Sequence, residues 1–478
     1  MSSPTFRVGS LSAVAAVAAG TVAIAIGSHF GRLVLLLASV IVVCCLLPKR
    51  SLPSIAIVAS CCIPTESLPL THLLVGVPVG LAPMTVWVIK SVPSAIAQRS
   101  SSDQGTRLLR GSVVALLLWI PLSALFAPFL TEFAGVWSAT AIVGLLTIWV
   151  VAAGEPIGVA ALVTTLRWIS LALSSFAVLE KWVLHENPIF GHLYQLASTP
   201  LVQKWESYRA TTLMGHPLVN VTFFAVGLVL WTAWYVERST WSPLRLAPVL
   251  VCGCGVVATV SRTGLIASAV GAVAYLLLSG RLASSGARRR RRVLVFVGAV
   301  GAVLATVAIA PRLSSGEGAQ SAEVRADVPA QTAASLSGHY LFGVGPGMSE
   351  RFRVQSLGVL LQPQDQQGGN LSQIEDAYAQ TAVGLGLPGL AVFFLIPAQI
   401  IYRSMRQRRR VAVGAAVITM AVAVGSYNAF EGHLQVLLVF LVLMAAALDG
   451  ERRSRRRSDL VAAEQEFSVA VAASRSGG

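Results

Sequence analysis

Seven side chains in an otherwise apolar chain have types suited to chemistry: Arg209, His216, Arg262, Arg325, His339, Glu375 and Asp376. A guanidinium stays charged when partly desolvated and presents a planar fork of donors, so it suits a phosphate better than the point charge of lysine does. A carboxylate at a dry membrane boundary has its ionised form disfavoured, which brings its pKa toward the range where a general base works. Each type also has a structural use. An arginine near a helix end serves as an anchor whose head sits in the interface. Asp or Glu in a first helical turn complements the helix dipole by ~0.3–1 kcal/mol, and Asp is a good N-cap. In Glu375 and Asp376 the two uses can coexist, and His216 and His339 each have a structural reading beside a catalytic one.

The elements that must position these residues are greasy. Hydrophobic residues make up 55% of the 478 and charged residues 12%, and the mean hydropathy is +0.72. The apolar excess comes in blocks close to the roughly 20 residues a bilayer requires. The chain is therefore expected to be an all-α, polytopic helical membrane protein with one large extracytoplasmic loop. About 14 apolar blocks are counted, at 11–28, 32–48, 53–69, 71–89, 111–131, 136–153, 156–178, 217–236, 246–260, 264–280, 293–311, 380–402, 411–427 and 433–449. Pro53 and Pro64 break the block at 53–69, so the expected count is 12–14 transmembrane helices, with tilted or re-entrant segments allowed where protein satisfies the backbone.

A net charge of +15 would suggest nucleic acid as the partner of a soluble protein, but here the arginines sit beside apolar blocks and read as topology. Lys49-Arg50, the stretches Lys90 to Arg110 and Arg288 to Arg292, Arg238 with Arg245, Arg403 to Arg410 and Arg452 to Arg457 all fall on one side, which the positive-inside rule makes cytoplasmic, with both termini. The expected location is the cell membrane. Four polar pieces then fall outside together: the segment 180–216, the turn Ser261-Arg262-Thr263-Gly264, the loop 312–379 and the turn Tyr427-Asn428-Ala429-Phe430-Glu431.

This threading divides the chain into N-terminal helices over 1–179, an extracytoplasmic segment over 180–216, central helices over 217–311, the large loop over 312–379, C-terminal helices over 380–450 and a basic tail over 451–478. The tail and the stretch Ser284 to Arg292 are expected to be disordered and drawn to anionic headgroups. No small-residue cleavage site ends the first block, so an uncleaved first span is expected. Cys44, Cys45, Cys61, Cys62, Cys252 and Cys254 lie in or against apolar blocks and read as small buried hydrophobes, with neither disulfide nor zinc spacing. Arg167, inside a span, is a site candidate by default, with Glu155 or Glu180 as a possible buried partner.

The stretch from Arg325 to Leu390 is the candidate active region, because polar loops longer than about 12–15 residues are usually functional or disordered. Its Gly343-Val344-Gly345-Pro346-Gly347 could turn backbone N–H groups toward an anion or form a plain turn.

Four groups of residues resemble motifs of the O-antigen ligase and polymerase superfamily of bacterial envelope enzymes. They are Tyr208-Arg209-Ala210-Thr211 with Met214-Gly215-His216-Pro217 and Asn220; Thr259-Val260-Ser261-Arg262-Thr263-Gly264; Arg325 with Phe342-Gly343-Val344-Gly345-Pro346-Gly347; and Glu375-Asp376-Ala377-Tyr378 with Gly384-Leu385-Gly386-Leu387-Pro388-Gly389-Leu390. The resemblance implies a GT-C-like glycosyltransferase of the outer face that needs no metal and no cofactor. Its donor would be a polyprenyl-diphosphate-linked oligosaccharide and its acceptor a hydroxyl of a glycan or lipid, with no nucleic-acid partner. Carried over residue by residue, Arg209, Arg262 and Arg325 would bind the diphosphate. Ligases of the family place His then Asn where this chain has Glu375 and Asp376, so Glu375 is the expected base, with His339 or Asp376 as substitutes, and a polymerase is favoured over a strict ligase. The competing reading is a lipid-linked-glycan flippase or other polysaccharide exporter, which many spans and Arg167 would also permit.

Overall fold

A computed structural model of the protein describes residues 40–63, 78–97, 104–189, 208–237, 242–280, 325–356, 374–407 and 410–449, with isolated positions at 295, 298, 306, 310 and 323. The expected spans at 11–28 and 293–311, the stretch Ser284 to Arg292, the tail from 451 and parts of both large outer segments lie wholly or mostly outside the described residues.

All regular structure among the described residues is helical. Among the described residues six helices are long and apolar enough to cross a membrane: α3 (Gln104–Leu125), α4 (Glu132–Ala152), α5 (Val159–Leu179), α6 (Pro217–Glu237), α8 (Arg262–Gly280) and α11 (Ala377–Met405). Five shorter apolar segments accompany them, formed by α1 (Leu52–Cys62), α2 (Leu81–Ala97), α7 (Ala247–Ala258), α12 (Val411–Val424) and α13 (Leu434–Leu448). The protein is an all-α polytopic membrane protein. Leu118 and Leu277 are 67% and 69% exposed, as befits helices whose outer faces meet lipid. Within the bundle α6 is the central post, packed against α5, α7, α8 and α12, and α13 is buried along its length against α4 and α12. Close approach is set by small residues: a Cβ on Gly227 of α6 would lie 2.0 Å from the Ser170 hydroxyl of α5.

Of the cysteines, Cys44, Cys61 and Cys252 are buried as expected, whereas Cys45 and Cys254 are exposed, because their helical positions face outward. Arg167 takes neither expected carboxylate. Its guanidinium lies over the Trp231 ring, 5.3 Å from the centroid, and donates to Thr164 Oγ1. Glu155 is engaged by Lys49 and Ser94 and Glu180 by the 208–212 segment.

The large loop has structure of its own. It contains α9 (Val328–Leu336) and α10 (Ser349–Ser356), and between them the glycine-rich strip lies against a break in α11. At Gly386 the α11 backbone turns to φ 73°, ψ 174°, a conformation open essentially only to glycine. The peptide groups released there are taken up from outside: Val344 N donates to Val383 O at 2.8 Å, Gly345 N to Gly384 O at 3.0 Å, and Leu387 N to Tyr340 O at 2.9 Å. Trp119 Nε1 donates to Leu385 O at 2.8 Å, and Ser123 Oγ donates to Phe342 O at 2.6 Å. Phe342 stacks on Phe126 at 4.2 Å. Contact is too close for side chains, since a Cβ on Gly343 would meet Gly384 O at 2.5 Å. The backbone N–H groups of Val344 and Gly345 are therefore spent on the fold, which answers the anion reading of this strip.

Candidate active site

Helix order puts the ends of α3, α5, α7 and α12 and the starts of α4, α6, α8, α11 and α13 at one end of the bundle. The opposite end is marked by Arg403, which donates to Thr106 at 3.2 Å, and by Asp449, which accepts from Ile157 N and Gly158 N at 3.1 Å. The described parts of all four polar pieces of the sequence meet at the first end.

Arg209 is positioned by a buried carboxylate. The last turn of α5 widens into a π-turn, Glu180–Leu184, a feature often found at functional sites. It carries Glu180, 0% exposed, into the protein. That carboxylate accepts from Tyr208 Oη at 2.6 Å, Thr211 N at 2.8 Å, Thr211 Oγ1 at 3.0 Å and Thr212 N at 2.9 Å. Four donors offset the cost of burying the charge and fix the chain on either side of Arg209. Ala210 N then donates to Ala258 O at 3.1 Å, and Arg209 Nε to Thr259 O at 3.1 Å. Thr259 leads into the turn at Val260 (φ 51°), where Ser261 Oγ accepts from Gly264 N at 3.2 Å and Arg262 begins α8. The second arginine thus stands on the turn that the first one grips.

Arg325 and Glu375 form an ion pair at 3.4 Å, and Arg325 Nε donates to Ser426 O at 3.4 Å at the end of α12. Both side chains are about one-third exposed, at 33% and 30%, so the pair is worth roughly 0–1 kcal/mol and serves position more than stability. Asp376 is the N-cap of α11, its Oδ1 accepting from Tyr378 N at 2.7 Å and Ala379 N at 2.9 Å. Burial raises its pKa while these two hydrogen bonds lower it. The His339 ring meets Phe352, a member of the apolar cluster under the loop, edge-on at 5.2 Å.

Two features escaped the sequence reading. Glu431, 6% exposed, caps the start of α10: Oε1 accepts from Ser349 N at 3.1 Å, and Oε2 accepts from Ser349 Oγ at 2.7 Å and Glu350 N at 3.3 Å. Burial pushes its carboxyl up to about 7 against these hydrogen bonds, with the Glu350 charge adding to the rise. The only signal for it in the sequence is an acid in a short turn between two strongly apolar helices. The second is an imidazole pair: His216 and His433 lie 5.0 Å apart, and Tyr427, bonded to Thr222 Oγ1 at 3.0 Å, lies beside both rings. Burial, then His433 and then Arg209 hold the His216 pKa well below its usual value, so this ring is neutral near pH 7.

The arrangement offers fixed positive charge, carboxylates and buried imidazole within one end of a membrane bundle. In sequence comparisons, residues 247–394 match the family model described as O-Antigen ligase. No curated protein matches the chain. The matched segment contains Arg262, Arg325, His339, Glu375, Asp376 and the α11 break, while Arg209 lies upstream of it. A membrane protein of polysaccharide assembly, of ligase or polymerase type, is what the match supports. Residues 247–394 are thus similar to the O-antigen ligase family, which supports the resemblance to the O-antigen ligase and polymerase superfamily.

Proposed function

We propose that the protein is an outer-face glycosyltransferase that moves a polyprenyl-diphosphate-linked glycan onto an acceptor hydroxyl, in surface-polysaccharide polymerisation or ligation. The supporting observation is convergence: Arg209 grips Thr259 O in the α7–α8 turn after which Arg262 begins α8, and Arg325 is tied to Glu375 and to the end of α12 at the same end of the bundle. Three separate stretches of chain supply one kind of charge there.

In the reaction, the acceptor oxygen forms a bond to the anomeric carbon as the bond from that carbon to the diphosphate oxygen breaks, with inversion. The acceptor proton passes to a carboxylate, assigned to Glu375, with Asp376 or His339 as the substitutes. The leaving diphosphate gains negative charge, and arginines already in place stabilise that charge without reorganising. The Arg325–Glu375 ion pair supports a reading in which the proton acceptor and one diphosphate-binding group work side by side.

Purified protein in lipid, given a polyprenyl-diphosphate glycan and an acceptor, tests the reading. Transfer is expected in wild type, and Arg262→Ala is expected to lower kcat about 10²- to 10³-fold, the usual range for losing one oxyanion-stabilising donor. Glu375→Gln should abolish turnover while leaving donor binding intact; retained turnover would move the base to Asp376 or His339. Movement of the glycolipid across the bilayer with no change in glycan length would sink the transfer reading.

A further inference from the structure

One helical turn below the Asp376 cap, α11 carries Gln380, whose backbone N–H donates to Asp376 O at 2.9 Å. Its side chain is 1% exposed, and neither Oε1 nor Nε2 has a hydrogen-bond partner. On α4, facing it, Trp137 is 3% exposed and its indole Nε1 is likewise buried without a partner. Gln380 and Trp137 line one narrow crevice together with Thr381, Gly347, Phe430 and Glu431. Glu431 adds acceptor capacity above its pKa of about 7, because the carboxylate then has about four lone-pair sites and the protein uses three.

Buried amide and indole groups are costly when left unpaired, and proteins rarely leave them so without a reason. Here two side chains on different helices, which share no hydrogen bond, leave three polar atoms unpaired around one crevice. Their chemistry is mixed: the amide offers two donors and an acceptor, the indole one donor, the carboxylate an acceptor, and the Trp137 and Phe430 rings supply flat apolar walls. Vicinal hydroxyls on a ring with apolar C–H faces are the complement of that set. A diphosphate is not, since among the described residues neither arginine nor lysine lines the crevice and a carboxylate does.

We propose that this crevice is a saccharide subsite, in which Gln380 and Trp137 bind the hydroxyl groups of a sugar residue of the donor or acceptor glycan and Glu431 accepts from a third hydroxyl. The proposal rests on the glycan-transfer reading for its substrate class. The crevice is narrower than a water molecule in this arrangement, so the Gln380 side chain, which no hydrogen bond holds, must rotate to admit the sugar.

The test uses full-length protein in nanodiscs, titrated calorimetrically with the oligosaccharide released by mild acid from the host's own lipid-linked glycan. Gln380→Leu, which keeps the volume and removes the amide, should weaken binding about tenfold, and Trp137→Phe about threefold to tenfold, the usual worth of one or two neutral hydrogen bonds. Thermal stability of Gln380→Leu should stay level or rise, because an apolar isostere replaces an unpartnered amide. In turnover, KM for the saccharide-bearing substrate should rise with kcat retained. A rise in KM for the lipid-linked donor assigns the subsite to the donor glycan, and a rise for the acceptor assigns it to the acceptor. Unchanged affinity and unchanged KM in both variants would overturn the proposal. Gln380-dependent oligosaccharide binding by a wild-type protein that transfers nothing would leave the subsite standing and remove the transfer reading.

Discussion

Among single residues, Glu431 makes the sharpest statement about pH. Its folded-state pKa, pushed up to about 7, lies above its ordinary value of 4.5. Between those values the folded protein therefore holds the proton more tightly than the unfolded chain does. This group's contribution to stability is thus greatest at the acidic end of that window, falls as pH rises through it, and is flat above. Glu431→Gln should remove the dependence, so the difference in thermal midpoint between wild type and variant should shift across pH 4.5 to 7; a constant difference would contradict the assignment. Asp376 shows how a chemically suggestive residue acquires a structural duty, since two backbone N–H groups of α11 hold one of its oxygens. Its neighbour Glu375 faces Arg325 instead, which is why Glu375 rather than Asp376 is the proposed base.

At the scale of elements, the break in α11 and the glycine strip of the loop are one structure. A long polar loop cannot rest on a membrane helix unless backbone hydrogen bonds are exchanged, and the break at Gly386 releases carbonyls to which Val344, Gly345, Ser123 and Trp119 donate. Gly386→Ala combines a forbidden φ with a Cβ placed 2.2 Å from Leu341 O. It should cost at least about 1–3 kcal/mol, concentrated in loop docking. The expected readout is faster tryptic cleavage at Arg351 and Arg353, with helix content by circular dichroism unchanged; cleavage at the wild-type rate would show that the strip does not depend on the break. The π-turn at Glu180–Leu184 works by the same logic, with a local irregularity in α5 exchanged for four bonds that set the 208–212 segment.

For the whole molecule, the bundle sorts its polar segments by end. One end gathers Arg209, Arg262, Arg325, Glu375 and Glu431; the other gathers Arg403, Thr106, Lys49, Glu155 and Asp449. The positive-inside rule assigns the first end to the outer face, and that assignment is open to direct measurement. A cysteine introduced at Ser337, exposed in the loop, should react with a membrane-impermeant maleimide in intact spheroplasts. Labelling only after permeabilisation would invert the topology and move the proposed chemistry to the cytoplasmic face.

Helix type and the gathering of the described parts of four polar pieces at one end were legible in the sequence, whereas the expected 12–14 spans compare with six long and five shorter apolar helices among the described residues. Lipid as solvent leaves the backbone few choices, and both block length and arginine placement record that constraint locally. That Arg209, Arg262 and Arg325 stand at one end of the bundle was legible for the same reason. Their partners were not: Arg209 grips Thr259, Glu431 caps a helix that starts at Ser349, and Gly343 fits against Gly384. Such bonds join residues far apart in the chain, and which ones form depends on how helices of similar apolar composition pack side by side. Gln380, Trp137 and Glu431 are ordinary residues in the sequence, and only the tertiary structure, by shutting them in one crevice, made the unmet hydrogen bonds of Gln380 and Trp137 visible beside the Glu431 carboxyl.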